Sequence, residues 1–600
     1  MEKGLESFDV IIIGAGLYGI QAARTYLAVH PSSNVVVFEG SSTIGGVWSK
    51  DRVYDAFWTQ TPVGMAEFSD QRLPPVPELD SYYGFFPAKY VASYLESYVE
   101  SREFAGRKLS SRIRLDSRVT RLEKKGGTCE WRAHIFVHNK SLRDEEEARN
   151  YTATAQKVID ATGLTSSPYM PSLPGLETFS GELVHQKDIA QSHVLHDSAN
   201  HNVIVIGGAK SAADMAYAAA KVGKTVSWVI RKSGSGPASF ALAQGSGSYK
   251  NSNEAFYTRL TALFLASVFV RARRREWSLA GFVEWLLYKT SMGMLFFSWI
   301  WKRVTARAWK GADYSGRQGK GDAWGESEDR GFHNLQPDTE IFWQNDSSGI
   351  NQRPDFFSTI ADRVTVYRSD IDRVCERGIH LADGNGTFVP ADVLLCGTGW
   401  DIRSSYAHLN DATAHDLGLP VSQSLQSAQE ALHCAALDTR AEAHILRRFP
   451  VLAHPPTYHS TPATLTPLRL YKAMLPVSDP SILFLGKIML GNHFRTAEVQ
   501  ALWAVSVFDG TLSLPDEDAM EREITETVAW CRKRYLGKGQ LGNWFWFDMV
   551  PYTDCLLEEI GLESHRGRKG LRDLVRPCFA EDLFGLIEEY KAKYHKREST

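Results

Sequence analysis

Short apolar runs, each followed by a small-residue turn and then a longer amphipathic stretch, recur along the chain and predict an α/β fold. Residues 8–13 (FDVIII) predict a buried β-strand, residues 14–19 (GAGLYG) a tight turn, and the stretch through Leu27 a helix. A second apolar strand at 34–38 ends at Glu39. This order of strand, glycine turn, helix and strand is that of a nucleotide-binding βαβ unit.

Each glycine of the first turn has a separate physical task. Gly14 permits the tight turn, Gly16 lets the backbone approach a pyrophosphate, and Gly19 allows close helix packing. The positive end of the helix stabilises the phosphate charge. Glu39 would accept hydrogen bonds from ribose hydroxyls and repel a 2′-phosphate, which favours FAD or NAD over NADP at this site. A purely structural strand-to-helix bend is the alternative.

The same architecture repeats about 190 residues later. Residues 203–206 predict a strand, residues 207–214 (GGAKSAAD) a turn, and an alanine-rich helix extends to about residue 222. Ala209 and Ala212 stand where the second and third glycines are expected, and the middle position tolerates alanine less readily.

The strand predicted at 225–230 ends in Arg231 and Lys232, where a ribose-binding carboxylate would otherwise stand. Positive charge at this position favours NADPH over NADH. The alternative is that both residues are solvated charges at a strand end.

Six residues after Glu39, the stretch 45–48 (GGVW) gives the pattern E-x5-G-G-x-W. Here the sequence resembles the class B flavoprotein monooxygenases, which include the flavin-containing and Baeyer–Villiger enzymes, and the resemblance implies that this stretch lies along FAD. The second turn is similar to the NADPH turn of flavin-containing monooxygenases at Gly207, Ser211 and Asp214. The resemblance places Ser211 on the pyrophosphate.

Residues 179–189 resemble the fingerprint F-x-G-x3-H-x3-aromatic of this superfamily, except that Ile189 replaces the aromatic residue. That departure leaves Baeyer–Villiger oxidation and heteroatom or carbon oxygenation both open. His185 within this stretch is expected to belong to a linker between nucleotide domains and to have no catalytic role.

Two strand ends, 158–163 (VIDATG) and 393–400 (VLLCGTGW), resemble the segments where this fold passes between its FAD and NADPH domains, and 498–504 resembles the helix that returns to the flavin. The fold class implied is α/β with two Rossmann-type dinucleotide-binding domains, the NADPH domain being inserted into the FAD domain. The expected domains are an FAD-binding segment at 1–165, an NADPH-binding domain at 166–389 with a helical insertion at about 236–335, a second FAD-binding segment at 390–510, and a C-terminal helical extension at 511–600.

The chemistry that the resemblance implies needs FAD, NADPH and O₂, with a flavin hydroperoxide as the oxygenating species. Residues 59–61 (TQT) match a T-N-T/S stretch near the reactive flavin edge, so Gln60 is a candidate catalytic residue, and an exposed loop glutamine is the alternative. Asp70 in the F-S-D element could orient an active-site partner or could be a turn residue. The expected FAD contacts are Gly14, Ala15, Gly16, Gly19, Glu39, Gly46, Val47, Trp48, Thr59, Gln60 and Thr61, and the expected NADPH contacts are Gly207, Ser211, Asp214, Arg231 and Lys232.

The composition narrows the choice of partners. With 600 residues, 43% hydrophobic and 23% charged, the chain is expected to fold into several domains, and its net charge of −3 gives no reason to expect nucleic acid. Seven cysteines form no C-x-x-C pair and no cluster at metal spacing, which argues against a zinc site and against a disulfide reductase. The N-terminus has no apolar leader, so we expect a cytoplasmic protein.

The inserted region raises the question of a membrane. Gly/Ser-rich stretches at 233–254 and 310–328 predict mobile loops around an apolar helix-like run at 260–270, a basic run at 271–275, and a Leu-, Phe- and Trp-rich stretch at 280–301. Three readings follow, in order of preference: a helical cap over the substrate pocket, an interfacial helix pair on a membrane surface (peripheral contact through 260–301), or a true span.

The sequence is also similar to fungal tailoring monooxygenases of secondary metabolism. We therefore expect a small lipophilic substrate such as an aromatic polyketide, with O₂ as co-substrate. The alternatives are an NADPH oxidase or reductase on the same two-dinucleotide frame, and a homologue that binds nucleotides without turnover. Fold analogy does not decide between them, and the oligomeric state is left open.

Overall fold

The structure is a computed structural model that describes residues 5–125, 130–138, 149–270, 279–317, 330–343, 345, 350–566 and 570–595. Cys129 and the basic run at 271–275 lie outside the described residues. The described strands and helices follow in chain order.

The strands are β1 (Leu5–Ile13), β2 (Val35–Phe38), β3 (Glu103–Phe104), β4 (Arg107–Lys108), β5 (Ile113–Arg114), β6 (Ser117–Lys124), β7 (Trp131–Val137), β8 (Arg149–Asp160), β9 (Glu182–His185), β10 (Asn202–Ile206), β11 (Thr225–Ile230), β12 (Phe240–Leu242), β13 (Ile350–Gln352), β14 (Val364–Arg368), β15 (Ile371–Cys375), β16 (Gly378–Leu381), β17 (Phe388–Pro390), β18 (Val393–Cys396) and β19 (Ile482–Phe484).

The helices are α1 (Leu17–Val29), α2 (Lys89–Ser101), α3 (Ile189–Ser192), α4 (Lys210–Lys221), α5 (Ser252–Phe256), α6 (Arg259–Ala262), α7 (Leu279–Lys289), α8 (Ser291–Ala312), α9 (Phe356–Arg363), α10 (Asp411–Asp416), α11 (Ala428–Arg448), α12 (His493–Phe508), α13 (Glu517–Arg534), α14 (Met549–Ile560), α15 (Leu571–Val575) and α16 (Leu586–Tyr594).

The first sheet has the order β5-β2-β1-β8-β7-β6, and β19 pairs in parallel with β8. Residues 10–13 of β1 and all of β2 are buried, as their unbroken Val, Ile and Phe runs require of strands covered on both faces. Helix α1 follows β1 and packs against α12, which comes from the far end of the chain. The predicted strand and helix of the first nucleotide unit are therefore confirmed, and β1 begins earlier than expected, at Leu5.

The second sheet is parallel throughout, in the order β14-β11-β10-β18-β9. It contains the second predicted unit, β10-α4-β11. Strand β18 pairs with β10, so the boundary expected at residue 390 is wrong by several residues: the chain is still in the second sheet at Cys396. It rejoins the first sheet at β19, which makes the second sheet an insertion between two parts of the first.

The inserted region differs from the expectation at two places. The run 260–270 is not one helix, because α6 ends at Ala262 and buried turns follow. The Gly/Ser-rich stretch 233–254 is not a loop throughout, because β12 pairs with β13 and Phe240 is fully buried.

The stretch 280–301 forms the hairpin of α7 and α8, which is broken at Thr290 because the hydroxyl of that residue caps α8. Among the described residues, no helix is both long and apolar enough to span a bilayer.

The region after residue 511 contains α13 to α16, as the predicted helical extension requires. These helices are not a separate appendage: α14 packs against α12 and α16 against α1. Almost all of α12 is buried between them, and Trp503 at its centre is fully buried.

Candidate active site

The first glycine turn is built as its sequence pattern predicts. Gly14 has a φ of +99°, and a Cβ there would lie 2.8 Å from the carbonyl oxygen of Ala161. A Cβ on Gly19 would lie 1.8 Å from the carbonyl oxygen of Gly14, so no larger residue fits. Gly16 differs, because the nearest atom to its Cβ position is the Cα of Gly46 at 3.8 Å. The turn is thus closed behind and open in front, where a pyrophosphate would approach the backbone.

Glu39 lies beside this turn. Its Oε2 accepts a hydrogen bond from the backbone N–H of Ala15 at 2.7 Å, and its Oε1 accepts one from Ser41 N–H at 2.9 Å. A groove of about 600 Å³ extends beyond the end of β2, and it is lined by three basic residues (Arg52, Arg118 and Lys187) and three acidic ones (Asp51, Asp116 and Asp188). The Glu39 carboxylate stands at the strand end, where it suits the ribose of a dinucleotide.

The predicted G-G-x-W stretch completes the cradle. Gly45 and Gly46 both have positive φ values, +104° and +61°, and Gly46 faces Gly16. Trp48 stacks on Phe57 with ring centroids 5.4 Å apart. Lys210 is the first residue of α4, and its Nζ lies 4.9 Å from the centre of the Phe57 ring. This stack brings the first nucleotide unit to the start of the second.

The second turn tolerates its two alanines for different reasons. Ala209 is the N-cap of α4 in an extended conformation, so its Cβ strains nothing. Ala212 packs directly on Gly397, which has no room for a side chain. Gly207 has a φ of +127°, and its carbonyl oxygen accepts a hydrogen bond from the indole N–H of Trp228 at 2.6 Å.

The other expected NADPH residues are distributed unevenly around the second turn. Ser211 is half-buried in the first turn of α4. Asp214 is buried and forms an ion pair with Lys210, and burial raises the pKa of its carboxyl although Lys210 and Arg353 lower it. Arg231 and Lys232 are exposed directly after β11. They stand at the strand end where a 2′-phosphate would be read.

Gln60 is not a freely projecting amide. Its Oε1 accepts the backbone N–H of Asn351 at 2.8 Å and its Nε2 donates to the carbonyl oxygen of Asn351 at 3.0 Å. The Asn253 amide donates to the Gln60 carbonyl at 2.7 Å and accepts from the Asn351 side chain at 2.9 Å. The side chain expected near the flavin edge therefore fastens the 59–61 loop to β13.

The neighbours of Gln60 are held as well. Thr59 is fully buried and its hydroxyl accepts from Phe86 N–H at 3.3 Å. The hydroxyl of Thr61 donates to the Gly491 carbonyl oxygen at 3.4 Å, next to the N-terminus of α12.

An apolar cavity of about 400 Å³ begins at this polar cluster. Gln60, Asn253 and Asn351 are among its lining residues, and Gln244, Ser246, Thr261 and Arg307 are further polar ones. Its apolar walls come from the inserted region and the C-terminal extension, and they include Leu260, Phe264, Trp301, Val304 and Phe547. A mainly apolar cavity with a few polar groups is the usual form of a site for a small lipophilic molecule.

Asp70 lies elsewhere. Its carboxylate forms ion pairs with Arg24 and Arg102 and accepts a hydrogen bond from Tyr98 at 3.0 Å. It does not line the apolar cavity. The preceding Ser69 donates through both its N–H and its hydroxyl to Glu498 of α12. In the structure Asp70 therefore fastens its loop to α1 and α2.

A buried charged group stabilises the end of β8. Lys487 Nζ lies 3.1 Å from Asp160 Oδ1 and donates to the Thr162 hydroxyl at 2.6 Å. His408 Nε2 lies 3.1 Å from Asp160 Oδ2. Burial alone would raise the pKa of the Asp160 carboxyl, but Lys487 and His408 outweigh it and hold that pKa below its usual range. Because Ala161 touches Gly14, this group also positions the first glycine turn.

His185 lies in the second sheet and not in a linker between the nucleotide domains, so its expected position was wrong. It is the last residue of β9, it is buried, and its Nε2 is 2.9 Å from the carbonyl oxygen of Gly399. Burial lowers the pKa of its imidazole.

Among the described residues, one group of potential metal ligands comes together, at the ends of α1, α12 and α16. The ligand atoms of His30, Asp509 and His595 lie within 4.8 Å of one another. The two imidazoles are hydrogen-bonded to the two oxygens of Asp509 at 2.7 and 3.1 Å, and this ties the three helix ends together.

Sequence reasoning missed Asn253, Asn351 and Lys487. Nothing local marks the two asparagines, because their role depends on meeting Gln60 across the fold. Lys487 had a usable signal: it is the one charged residue of the apolar run 482–490, and a lysine in such a run is buried only when it is paired.

Known proteins match most of this chain. A family model described as FMO-like, flavin-binding monooxygenase-like, matches residues 8–268 and 457–573. A FAD-dependent monooxygenase of Pyrenophora dematioidea is 31% identical over 94% of this chain and 100% of its own length. A FAD-dependent monooxygenase of Fusarium langsethiae is 29% identical over 100% of this chain and 97% of its own.

Among solved structures, cyclohexanone monooxygenase from Rhodococcus sp. Phi1 bound to NADP⁺ is similar with a TM-score of 0.56 at 16% identity. The likeness covers 93% of this chain and 98% of that one. At this level of identity the likeness describes the fold.

Proposed function

The chain belongs to the FMO-like family of flavin-binding monooxygenases, and from that membership we propose that it oxygenates a small lipophilic molecule with FAD, NADPH and O₂. The expected family, the α/β fold class with two Rossmann-type sheets and the FAD cofactor are confirmed. The electron donor, the reaction subtype and the substrate are the proposed parts.

The residues of the first site fit FAD. Gly16 leaves open space in front of the turn, Glu39 is placed for ribose, and Trp48 borders the same cradle. Bound FAD would supply two-electron transfer from NADPH and the activation of O₂. The balance is one NADPH, one proton and one O₂ consumed, with one oxygen atom passed to the substrate and the other leaving as water.

The second site would hold NADPH. The start of α4 presents backbone N–H groups and Ser211 to a pyrophosphate, and Arg231 and Lys232 supply positive charge for a 2′-phosphate. The role of the protein in this scheme is to orient both nucleotides and to exclude water from the reacting edge.

The apolar cavity is the observation that carries the substrate proposal. It adjoins the 59–61 stretch, and its lining is mainly apolar and aromatic but includes the amides of Gln60, Asn253 and Asn351. A hydrophobic molecule with a single carbonyl or heteroatom would place that group against the amides. This supports a lipophilic metabolite, such as an aromatic polyketide, as substrate.

Flavin reduction tests the redox proposal. Purified holoprotein is mixed with NADPH without oxygen, the flavin absorbance is followed, and air is then admitted. Bleaching by NADPH, with substrate-dependent O₂ uptake afterwards, supports the monooxygenase. No bleaching contradicts NADPH as donor, and hydrogen peroxide release that is unaffected by any lipophilic substrate indicates an oxidase.

A pair of glycine variants tests the cofactor site. Gly16→Ala meets no clash and sits at a φ of −77°, so we expect a folded protein that loses FAD because the methyl group occupies the phosphate position. Gly19→Ala forces a clash with the Gly14 carbonyl, so we expect loss of both FAD and thermal stability. A Gly16→Ala protein that retains full FAD content would contradict the assigned site.

A second pair tests the cavity. Val304 lines the cavity, whereas Ala306 on the same helix is exposed. Val304→Phe is expected to raise KM for lipophilic ketones or thioethers without changing the rate of flavin reduction, and Ala306→Phe is expected to change neither. Equal effects of the two variants would remove the cavity from the proposal.

A further inference from the structure

The α7–α8 hairpin leaves many large apolar side chains in solvent. On α7 they follow helical spacing, and on α8 they repeat in the same way, so each helix carries one outward stripe. Their exposed fractions run from 43% to 82%. The residues of this stripe pair are Phe282, Trp285, Leu286, Met292, Leu295, Phe296 and Trp299.

These side chains pair along each helix and are not scattered singles. Phe282 stacks on Trp285 with centroids 6.0 Å apart, and Phe296 stacks on Trp299 at 5.9 Å. The opposite sides of the helices are anchored in the core by buried residues such as Tyr288 and Phe297. Contiguous exposed apolar patches on a folded protein mark an interaction site.

The charges around this surface have one sign. Helix α8 carries Lys302, Arg303, Arg307 and Lys310 and no acidic residue. The Arg303 guanidinium lies 5.0 Å from the centre of the Trp299 ring, directly beside the apolar stripe. The acid of α7, Glu284, is neutralised by an ion pair with Arg448 at 2.8 Å.

We propose that the α7–α8 hairpin docks on the surface of a bilayer that contains anionic lipid. Aromatic and aliphatic side chains would enter the headgroup region, while the lysines and arginines contact lipid phosphates or carboxylates. A second copy of this chain is the competing occupant of this surface, and the test below distinguishes it from a bilayer.

The position of α8 gives this docking a consequence. Its other side, with Ile300, Trp301 and Val304, forms a wall of the apolar cavity. A lipophilic molecule dissolved in the bilayer would then meet the cavity wall directly. That consequence rests on the proposed function, whereas the docking itself needs no turnover.

Vesicle co-sedimentation of the full-length holoprotein tests the docking. We expect binding to phosphatidylcholine vesicles with about 30% phosphatidylserine, weaker binding at high salt, and little binding to phosphatidylcholine alone. Removing two cations of α8 with Lys302→Gln and Arg303→Gln is expected to weaken binding about 30-fold, at about fivefold for each charge close to the lipid.

The apolar arm uses Phe296→Ser with Trp299→Ser, which should abolish sedimentation. The matched control is Leu432→Ser, which removes a side chain that is 74% exposed on α11 and should change nothing. Unchanged circular dichroism and FAD content show that each variant is folded.

Two results would overturn the proposal. One is sedimentation of the wild type that does not depend on phosphatidylserine, or no sedimentation at all. The other is a dimer in light scattering that Trp299→Ser converts to a monomer, which would assign the surface to a second copy. Neither result depends on catalysis, so failure here is distinguishable from failure of the proposed function.

Discussion

Replacing Glu498 by Gln is expected to change how stability depends on pH. Glu498 lies in α12 and is only 5% exposed. Burial raises the pKa of its carboxyl from 4.5 to about 7, and the nearby Asp70 adds to this, although Ser69 and Arg24 act in the opposite direction. The folded protein therefore keeps a proton on Glu498 over a range of pH in which the unfolded chain has lost it.

The sign and size follow from linkage. Between pH 4.5 and about 7 the folded state binds more protons than the unfolded state, so the contribution of Glu498 to stability falls as pH rises. With these two pKa values the loss between pH 5 and pH 8 is about 2–3 kcal/mol. Glutamine cannot titrate, yet its amide can still accept from Ser69 N–H and donate to the Ser69 hydroxyl.

Urea unfolding followed by circular dichroism at several pH values measures the effect. The stability of Glu498→Gln relative to the wild type should rise by about 2–3 kcal/mol from pH 5 to pH 8. Glu588→Gln, at an exposed glutamate of α16, is the control and should run parallel to the wild type. A difference between Glu498→Gln and wild type that stays constant from pH 5 to pH 8 would refute the reasoning.

Two further substitutions test groups that position the nucleotide turns. Lys487→Met leaves Asp160 buried without its ammonium partner and should lower the free energy of unfolding by about 3–5 kcal/mol; a loss below about 1 kcal/mol in urea unfolding would show that the pair is not structural. Trp228→Phe removes the donor to the Gly207 carbonyl and should cost about 1–3 kcal/mol and raise KM for NADPH while FAD content is unchanged; unaltered stability and KM would contradict the assigned hydrogen bond.

The two nucleotide units were predictable because their signals are local. A tight turn between a buried strand and a helix needs small residues at fixed offsets, and Gly14, Gly19 and Gly207 meet that need in the structure. The strand at 225–230 has the predicted bounds, since its apolar residues end at Ile230, before the charged Arg231 and Lys232.

The candidate catalytic pair was harder to place. Gln60 and Asp70 were chosen from short motifs, but a motif does not say what a side chain meets. In the structure Gln60 is hydrogen-bonded to the backbone of Asn351, and Asp70 forms ion pairs with Arg24 and Arg102. Each partner is brought in by a separate segment, so the pairing could not be read from the motif itself.

The secondary structure of the inserted region was also only partly predictable from the sequence. Its apolar content was visible in the sequence. Periodicity did not distinguish the buried turns at 263–270 from a helix, and it did not distinguish two helices that meet at Thr290 from one continuous helix. Burial of Leu265 and Phe269 against the C-terminal extension decided the first, and the hydroxyl of Thr290 decided the second.

The sequence by itself determined the two βαβ units, their order and the family to which the chain belongs, because turn chemistry and strand burial are encoded within a few neighbouring residues. Only the tertiary structure decided the apolar cavity, the amide cluster in its lining and the exposed face of α7 and α8. These features are assembled from the inserted region, β13 and the C-terminal extension, and contacts between segments so far apart depend on the packing of the whole fold.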